Sequence, residues 1–146
     1  GEHNGTFRGN NAAFVTATAA LEEFWLDDEL ARETRRKADV VRRGLTDIAD
    51  EHPGLIDEVR GTGLIQGLVT TVPEVAGQVT AAAFEQGVII ETAGPEDEVI
   101  KLLPPLVISD EQIDRALTTL GECVQAVVDR LGDDLVSAEE GSGVAS

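Results

Sequence analysis

Apolar residues recur along this chain first at helical spacing, then at alternate positions, then at helical spacing again. Phe14, Leu21, Phe24 and Trp25, with Ala17 between them, predict a helix over 11–26 with one packed face. Asp27 and Asp28 offer an N-cap for a second helix. Its stripe is Leu30, Ala38, Val41, Leu45 and Ile48. Its polar face carries Arg35, Arg36, Lys37, Arg42 and Arg43, which read as a solvated run paired with Glu33 and Asp39. His52-Pro53-Gly54 should end it.

The period then changes to that of strands. Stretches 55–60 and 64–70 predict two strands joined by Gly61-Thr62-Gly63. Thr71-Val72-Pro73-Glu74 predicts a capping box opening a helix that stops at Gly87. Two further strands are predicted over 88–91 and 99–103, separated by a polar loop at 92–98 and closed by Pro104-Pro105. Ser109-Asp110-Glu111-Gln112 predicts the cap of a final helix with the stripe Ile113, Ala116, Leu117, Leu120, Val124, Val127 and Val128. Residues 132–146 are acidic and poor in apolar content, which predicts a disordered tail. The order implies an α+β arrangement with α/β-type layers, about four strands in one sheet and helices on one face. The other face should await a larger domain or a second subunit.

Composition narrows the function. The net charge is −17, from 28 acidic against 11 basic residues, so nothing offers nucleic acid a basic footprint. A surface so acidic and so poor in lysine suits a salty cytoplasm, where screening shortens the range of self-repulsion, although ordinary acidic helix faces would look similar. No run approaches the roughly 20 apolar residues of a membrane-spanning helix, and no signal peptide is visible. Met is absent altogether, which favours a piece of a longer protein. The single Cys123 falls on an apolar stripe and reads as a buried, inert thiol.

Few residues here suggest chemistry. No Ser/His/Asp arrangement has supporting context, and His3 and His52 lack the spacing of metal ligands. Gly61-Thr62-Gly63 reads as a tight turn, since it is too short for a dinucleotide fingerprint and opens no helix. Two features remain. Gly5, Thr6 and Gly9 lie just before a helix start, where free N–H groups and a hydroxyl suit a phosphate as well as a plain capped loop. Lys101 stands alone in an apolar strand, either as an exposed surface lysine or as a cation awaiting an anion.

Three segments carry a family resemblance: His3-Asn4-Gly5-Thr6-Phe7-Arg8-Gly9-Asn10-Asn11, Glu58-Val59-Arg60-Gly61-Thr62-Gly63-Leu64 and Ile100-Lys101-Leu102-Leu103-Pro104-Pro105-Leu106. Together, in this order and over about residues 1–130, they resemble class III, ornithine-transaminase-like, pyridoxal-phosphate aminotransferases. The first is most similar to the diaminobutyrate branch of ectoine synthesis. The resemblance implies the C-terminal small domain of a fold-type I transferase over 27–131. Residues 1–26 would be the cofactor-proximal loop and linking helix. It implies that Gly5 and Thr6 bind cofactor phosphate, Thr6 across a homodimer, and that Lys101 binds a substrate carboxylate. The family often has Arg at that strand position; Lys keeps the charge and loses the bidentate fork.

The same resemblance places the cofactor-bearing lysine upstream of the Thr6 loop, and neither Lys37 nor Lys101 occupies that place. It therefore implies a chain with no catalytic residue of its own and no metal. The parent would act on a small amino donor and a 2-oxo acid. Fragments of enzymes acting on ornithine, acetylornithine or 4-aminobutyrate, and a stand-alone binding domain, remain as alternatives.

Overall fold

A computed structural model describes residue 5 and residues 8–142 of the chain, with side chains through residue 132. The elements run α1 (Asn11–Phe24), α2 (Glu29–Glu51), β1 (Ile56–Thr62), β2 (Ile65–Thr70), α3 (Pro73–Glu85), β3 (Glu91–Ala93), β4 (Val99–Leu102) and α4 (Asp110–Ser142). The strands form one antiparallel sheet in the order β1-β2-β4-β3.

Register fixes which residues face the helices. Val59, Leu68, Ile100 and Thr92 stand in one row across the four strands, and Gly61, Gln66 and Leu102 stand two positions along. Because side chains alternate along a strand, both rows share a face. Leu68, Ile100 and Leu102 join Val41 and Leu45 of α2, Val75, Val79 and Ala83 of α3, and Ile113, Leu120, Val124 and Val127 of α4 in a single buried cluster. All three helices therefore cover one side of the sheet, as the sequence implies.

The second helix follows its predicted stripe, with Ala38, Val41, Leu45 and Ile48 buried. Its basic run does more than face water. Arg42 donates from Nη1 to the Val59 carbonyl and from Nη2 to the Gly61 carbonyl, both at 2.6 Å. Lys37 donates to the Leu106 carbonyl at 3.1 Å. Arg36 bridges Glu33 of its own helix and Asp110 at the start of α4. These cations thus pin α2 to the sheet's first hairpin and to α4. Gly61 has φ 122°, and a Cβ there would strike the Ile65 carbonyl, so the hairpin closes this tightly only with glycine.

Several expectations need correction. The face of α1 predicted to be packed is exposed: the helix buries none of its residues, and Phe14, Leu21 and Trp25 stand open. The Thr71 capping box does not form. The N-cap of α3 is Val72, without a side-chain cap bond, and the Thr71 hydroxyl instead donates to the Gly54 and Leu55 carbonyls. Pro at the first turn needs no cap for its own missing N–H. The third strand starts at Glu91, not at residue 88, because Val88 and Ile90 pack against the core from a loop before it. Lastly, α4 continues to Ser142 where a disordered tail from 132 is expected.

The predicted cap of α4 is reciprocal. Ser109 Oγ accepts from the Gln112 N–H at 3.2 Å, and Gln112 Oε1 accepts from the Ser109 N–H at 3.0 Å. Ser109→Ala should lower stability by about 1 kcal/mol in urea unfolding, with an unchanged m-value. A midpoint equal to wild type would show that the cap contributes nothing.

Candidate functional site

The sheet's second face carries the chemistry-bearing residues. Arg60 of β1 is opposite Gly67 of β2, Gly67 is opposite Lys101 of β4, and Lys101 is opposite Glu91 of β3. Two positions along stand Glu58, Val69, Val99 and Ala93. Strand alternation places both rows away from the helices. Val69 and Val99 are buried yet lie outside the main core cluster, and Ile65 and Leu103, at the same parity, are exposed.

The two cations of this face are held differently. Lys101 Nζ lies 2.9 Å from Glu91 Oε2, a cross-strand pair at hydrogen-bond distance. Arg60 Nη2 lies 3.8 Å from Glu98 Oε1, beyond it. Glu98 meets its needs elsewhere: its Oε2 accepts from the Glu96 N–H at 3.0 Å. Its carboxyl is held below the usual carboxylate range, first by its own backbone N–H, then by that of Glu96, with the Arg60 charge the smallest contributor. Gly67 sits between the two cations. A Cβ there would come within 2.6 Å of the Ile100 carbonyl oxygen and 2.9 Å of Val99 Cγ1, so the close strand approach tolerates only glycine at this position.

The other candidate is at the start of α1. Gly5 is exposed and its carbonyl accepts from the Arg8 N–H at 3.1 Å, closing a turn. Gly9 follows with φ 79°. Asn10 is the N-cap, its Oδ1 accepting from the Ala12 and Ala13 N–H groups. Thr6 and His3 lie outside the described residues. Gly5 and Lys101 sit on different elements, one before α1 and one on β4.

Two clefts lie elsewhere among the described residues, one of them between α1, the start of α2 and Leu106, where Glu23, Glu29, Glu33 and Lys37 line it. The other, of about 250 Å³, runs between α2, α4 and the segments flanking β3 and β4, but its lining, including Val41, Ile90, Leu102, Pro104 and Leu117, offers no polar side chain. Cys123 is fully buried; burial pushes its thiol pKa up, and its sulfur accepts from Gln86 Nε2 at 3.3 Å. His52 is buried beyond the end of α2 as its C-cap, as the sequence suggests. Among the described residues no cluster of His, Cys, Asp or Glu is arranged to hold a metal. Among them also, no helix is long and apolar enough to cross a membrane.

Sequence reasoning finds Lys101 and misses its partner, because a strand placed over 88–91 puts Glu91 at an end and not opposite Lys101. Arg60 is overlooked because it falls at the last position of the predicted strand 55–60, beside the Gly61-Thr62-Gly63 turn. Alternation across the hairpin would have placed it on the face of Lys101.

The geometry of an open sheet face joins a match to a family model, described as Aminotransferase class-III, over residues 1–124. The chain belongs to the class III aminotransferase family. It is 49% identical over 140 residues to a diaminobutyrate–2-oxoglutarate transaminase of Bordetella parapertussis, covering 95% of this chain and 32% of that protein. It is 45% identical over 129 residues to one from Halalkalibacterium halodurans, covering 88% and 30%. Among solved structures, a Bacillus anthracis aminotransferase superposes with TM-score 0.74 at 27% identity, over 86% of this chain and 30% of that one. An N-acetylornithine aminotransferase from Stenotrophomonas maltophilia gives 0.70 at 31%, over 81% and 32%. The chain thus spans about a third of the length of the relatives it matches.

Because backbone donors dominate at Glu98, Arg60→Gln should leave its titration nearly in place. Its folded pKa lies below the unfolded value, so its contribution to stability is present above the unfolded pKa and is lost as pH falls through the folded one. Carbon-detected NMR titration of wild type and variant checks this. A return of Glu98 to the ordinary range in Arg60→Gln would make the ion pair the cause.

Proposed function

We propose that this chain is the C-terminal part of a pyridoxal-phosphate aminotransferase. The parent transfers an amino group between L-2,4-diaminobutyrate and 2-oxoglutarate, giving aspartate semialdehyde and glutamate. The observation that carries this reading is the 49% identity, over 95% of the chain, to a transaminase of that name. In this reading residues 1–26 link to a large domain, 27–131 form the small domain, and the assembly is a cytoplasmic homodimer.

The cofactor phosphate suits the segment before α1. The turn at Gly5 is exposed, nothing lies within 4 Å of a Cβ at Gly9, and the helix behind presents its positive end. Gly5 and Thr6 would hold the phosphate there. When bound, the cofactor's pyridine ring would draw electron density from the substrate carbon that bears the reacting amino group and so make its proton removable. This chain's own part is to bind and orient. Lys101, on the open sheet face, supplies positive charge towards a substrate carboxylate while it stays hydrogen-bonded to Glu91. Lys37 donates to the Leu106 carbonyl and Lys101 pairs with Glu91, and this reading assigns the covalent link to the cofactor to a lysine of the large domain.

A second reading, an enzyme acting on acetylornithine, ornithine or 4-aminobutyrate, draws on the 31% identity to the N-acetylornithine aminotransferase. Amine-donor profiling of the full-length parent with 2-oxoglutarate separates the two. Diaminobutyrate should give the highest kcat/KM, and a higher value for another donor would select the second reading. No amino transfer from any donor would overturn both. The isolated 146 residues should give no turnover in the same assay.

Thr6→Ala in the parent should weaken cofactor retention with the fold intact. One hydrogen bond to a charged phosphate is worth about 1.5–3 kcal/mol, or roughly ten- to a hundredfold in affinity. The defect should act across the dimer. A mixed dimer of a Thr6→Ala chain and a chain without its cofactor lysine has one lysine-bearing site. That site draws its threonine from the intact partner, so its affinity should be near wild type. Affinity as weak as in the Thr6→Ala homodimer would rule out the cross-subunit role.

A further inference from the structure

We propose that Arg60, rather than Lys101, makes the direct hydrogen bonds to a substrate carboxylate on the open face of the sheet, with Lys101 adding only its field. This rests on the reading of that face as a substrate wall. Four observations converge on it. Arg60 and Lys101 share one row, separated by a single strand, so their backbones lie about 10 Å apart. The position between them is Gly67, which has no side chain and whose Cβ position is already taken up by the Ile100 carbonyl and Val99 Cγ1, so no side chain can stand between the two cations. Lys101 already holds a carboxylate at 2.9 Å, whereas Arg60 stands 3.8 Å from its nearest. Arg60 is also the more open of the two, its side chain 45% exposed against 29% for Lys101.

Glu98 does not compete for the Arg60 fork. Its carboxylate is held by the Glu96 N–H and its own, and Arg60 is the smallest of the influences that keep it ionised. An incoming carboxylate can therefore take the guanidinium without leaving Glu98 bare. A planar guanidinium offers two parallel N–H donors matched to the two oxygens of a carboxylate, which a lysine ammonium does not. The ligand class is a carboxylate of a small 2-oxo acid or amino acid, bound end-on at the Arg60 fork.

The test uses the 146-residue chain and 2-oxoglutarate as the probe, followed through the Arg Nε–Hε and Lys Nζ resonances. The Arg60 resonance should shift saturably, and potassium chloride at equal ionic strength should not reproduce the shift. Arg60→Gln should weaken binding about tenfold or more, the loss of a charge-assisted hydrogen bond. Arg60→Lys, which keeps the charge, should fail to restore it. Lys101→Gln should weaken binding by no more than about threefold, as expected for a screened charge at a distance. A saturable shift at Lys101 with Arg60 silent, wild-type affinity in Arg60→Gln, full rescue by Arg60→Lys, or no saturation at all would overturn the proposal. The outcome is independent of turnover. A parent that transaminates while Arg60 stays silent overturns this inference alone. A parent without transaminase activity whose Arg60 still takes 2-oxoglutarate overturns the reading of function alone.

Discussion

Leu68 and Ile100 face each other across the two central strands, and both are wholly buried. This one contact sets the sidedness of the molecule. Once these residues turn towards α2, α3 and α4, alternation forces Gly67, Val69, Val99 and Lys101 to the opposite face. A slip of one residue in β4 would bury Lys101 and expose Ile100, exchanging a satisfied core for an unsolvated cation. The register that protects the core is thus the register that displays the site. The apolar cluster stabilises both at once, since removing Leu68 or Ile100 would cost about 2–5 kcal/mol and loosen the strand pair that carries Lys101.

Most of this architecture is legible in the sequence because its signals are local. The stripe of α2 and the change of period after His52-Pro53-Gly54 each depend on residues a few positions apart. The same holds for the Ser109–Gln112 cap. What is not legible depends on partners far along the chain. Thr71 offers the pattern of a capping box, yet its hydroxyl finds the Gly54 and Leu55 carbonyls across the chain's path. The apolar face of α1 reads as core, and it is exposed because nothing in these residues is placed to cover it. Amphipathicity says that a face seeks cover; it does not say which surface provides it.

The site shows the same division. Lys101 stands out as a lone cation among apolar neighbours, a contrast visible within one strand. Its pairing with Glu91 needs the β3–β4 register, and a strand placed three residues early hides it. Alternation along the hairpin gives Arg60 its parity, but its place across Gly67 from Lys101 needs the β2–β4 register, which no window of sequence displays. The glycine turn before α1 is readable in composition, but a hydroxyl and a few N–H groups do not name their ligand. The cofactor phosphate proposed for it rests on similarity to the class III aminotransferases, and the open turn at Gly5 is compatible with it.

The excess of acidic residues gives the cationic wall its character. In a chain of net charge −17, cations are scarce, and several are spent as struts: Arg36 between two helices, Arg42 on the hairpin, Lys37 on the loop before α4. Arg60 and Lys101 differ in facing a surface that the fold leaves uncovered. While that surface is open to water, their pairs with Glu98 and Glu91 contribute little, because exposed ion pairs are screened and cost side-chain entropy. Covering it with a second protein surface would lower the local dielectric and strengthen each charge interaction several-fold. Acids that merely neighbour the cations in the isolated chain would then set how much positive charge a bound carboxylate meets. Glu91 would reduce the charge that Lys101 presents, and Glu98, held by its own backbone, would leave the Arg60 fork open. The discrimination between the two cations grows out of strand register and of which acid each one holds, and it strengthens once water leaves that face.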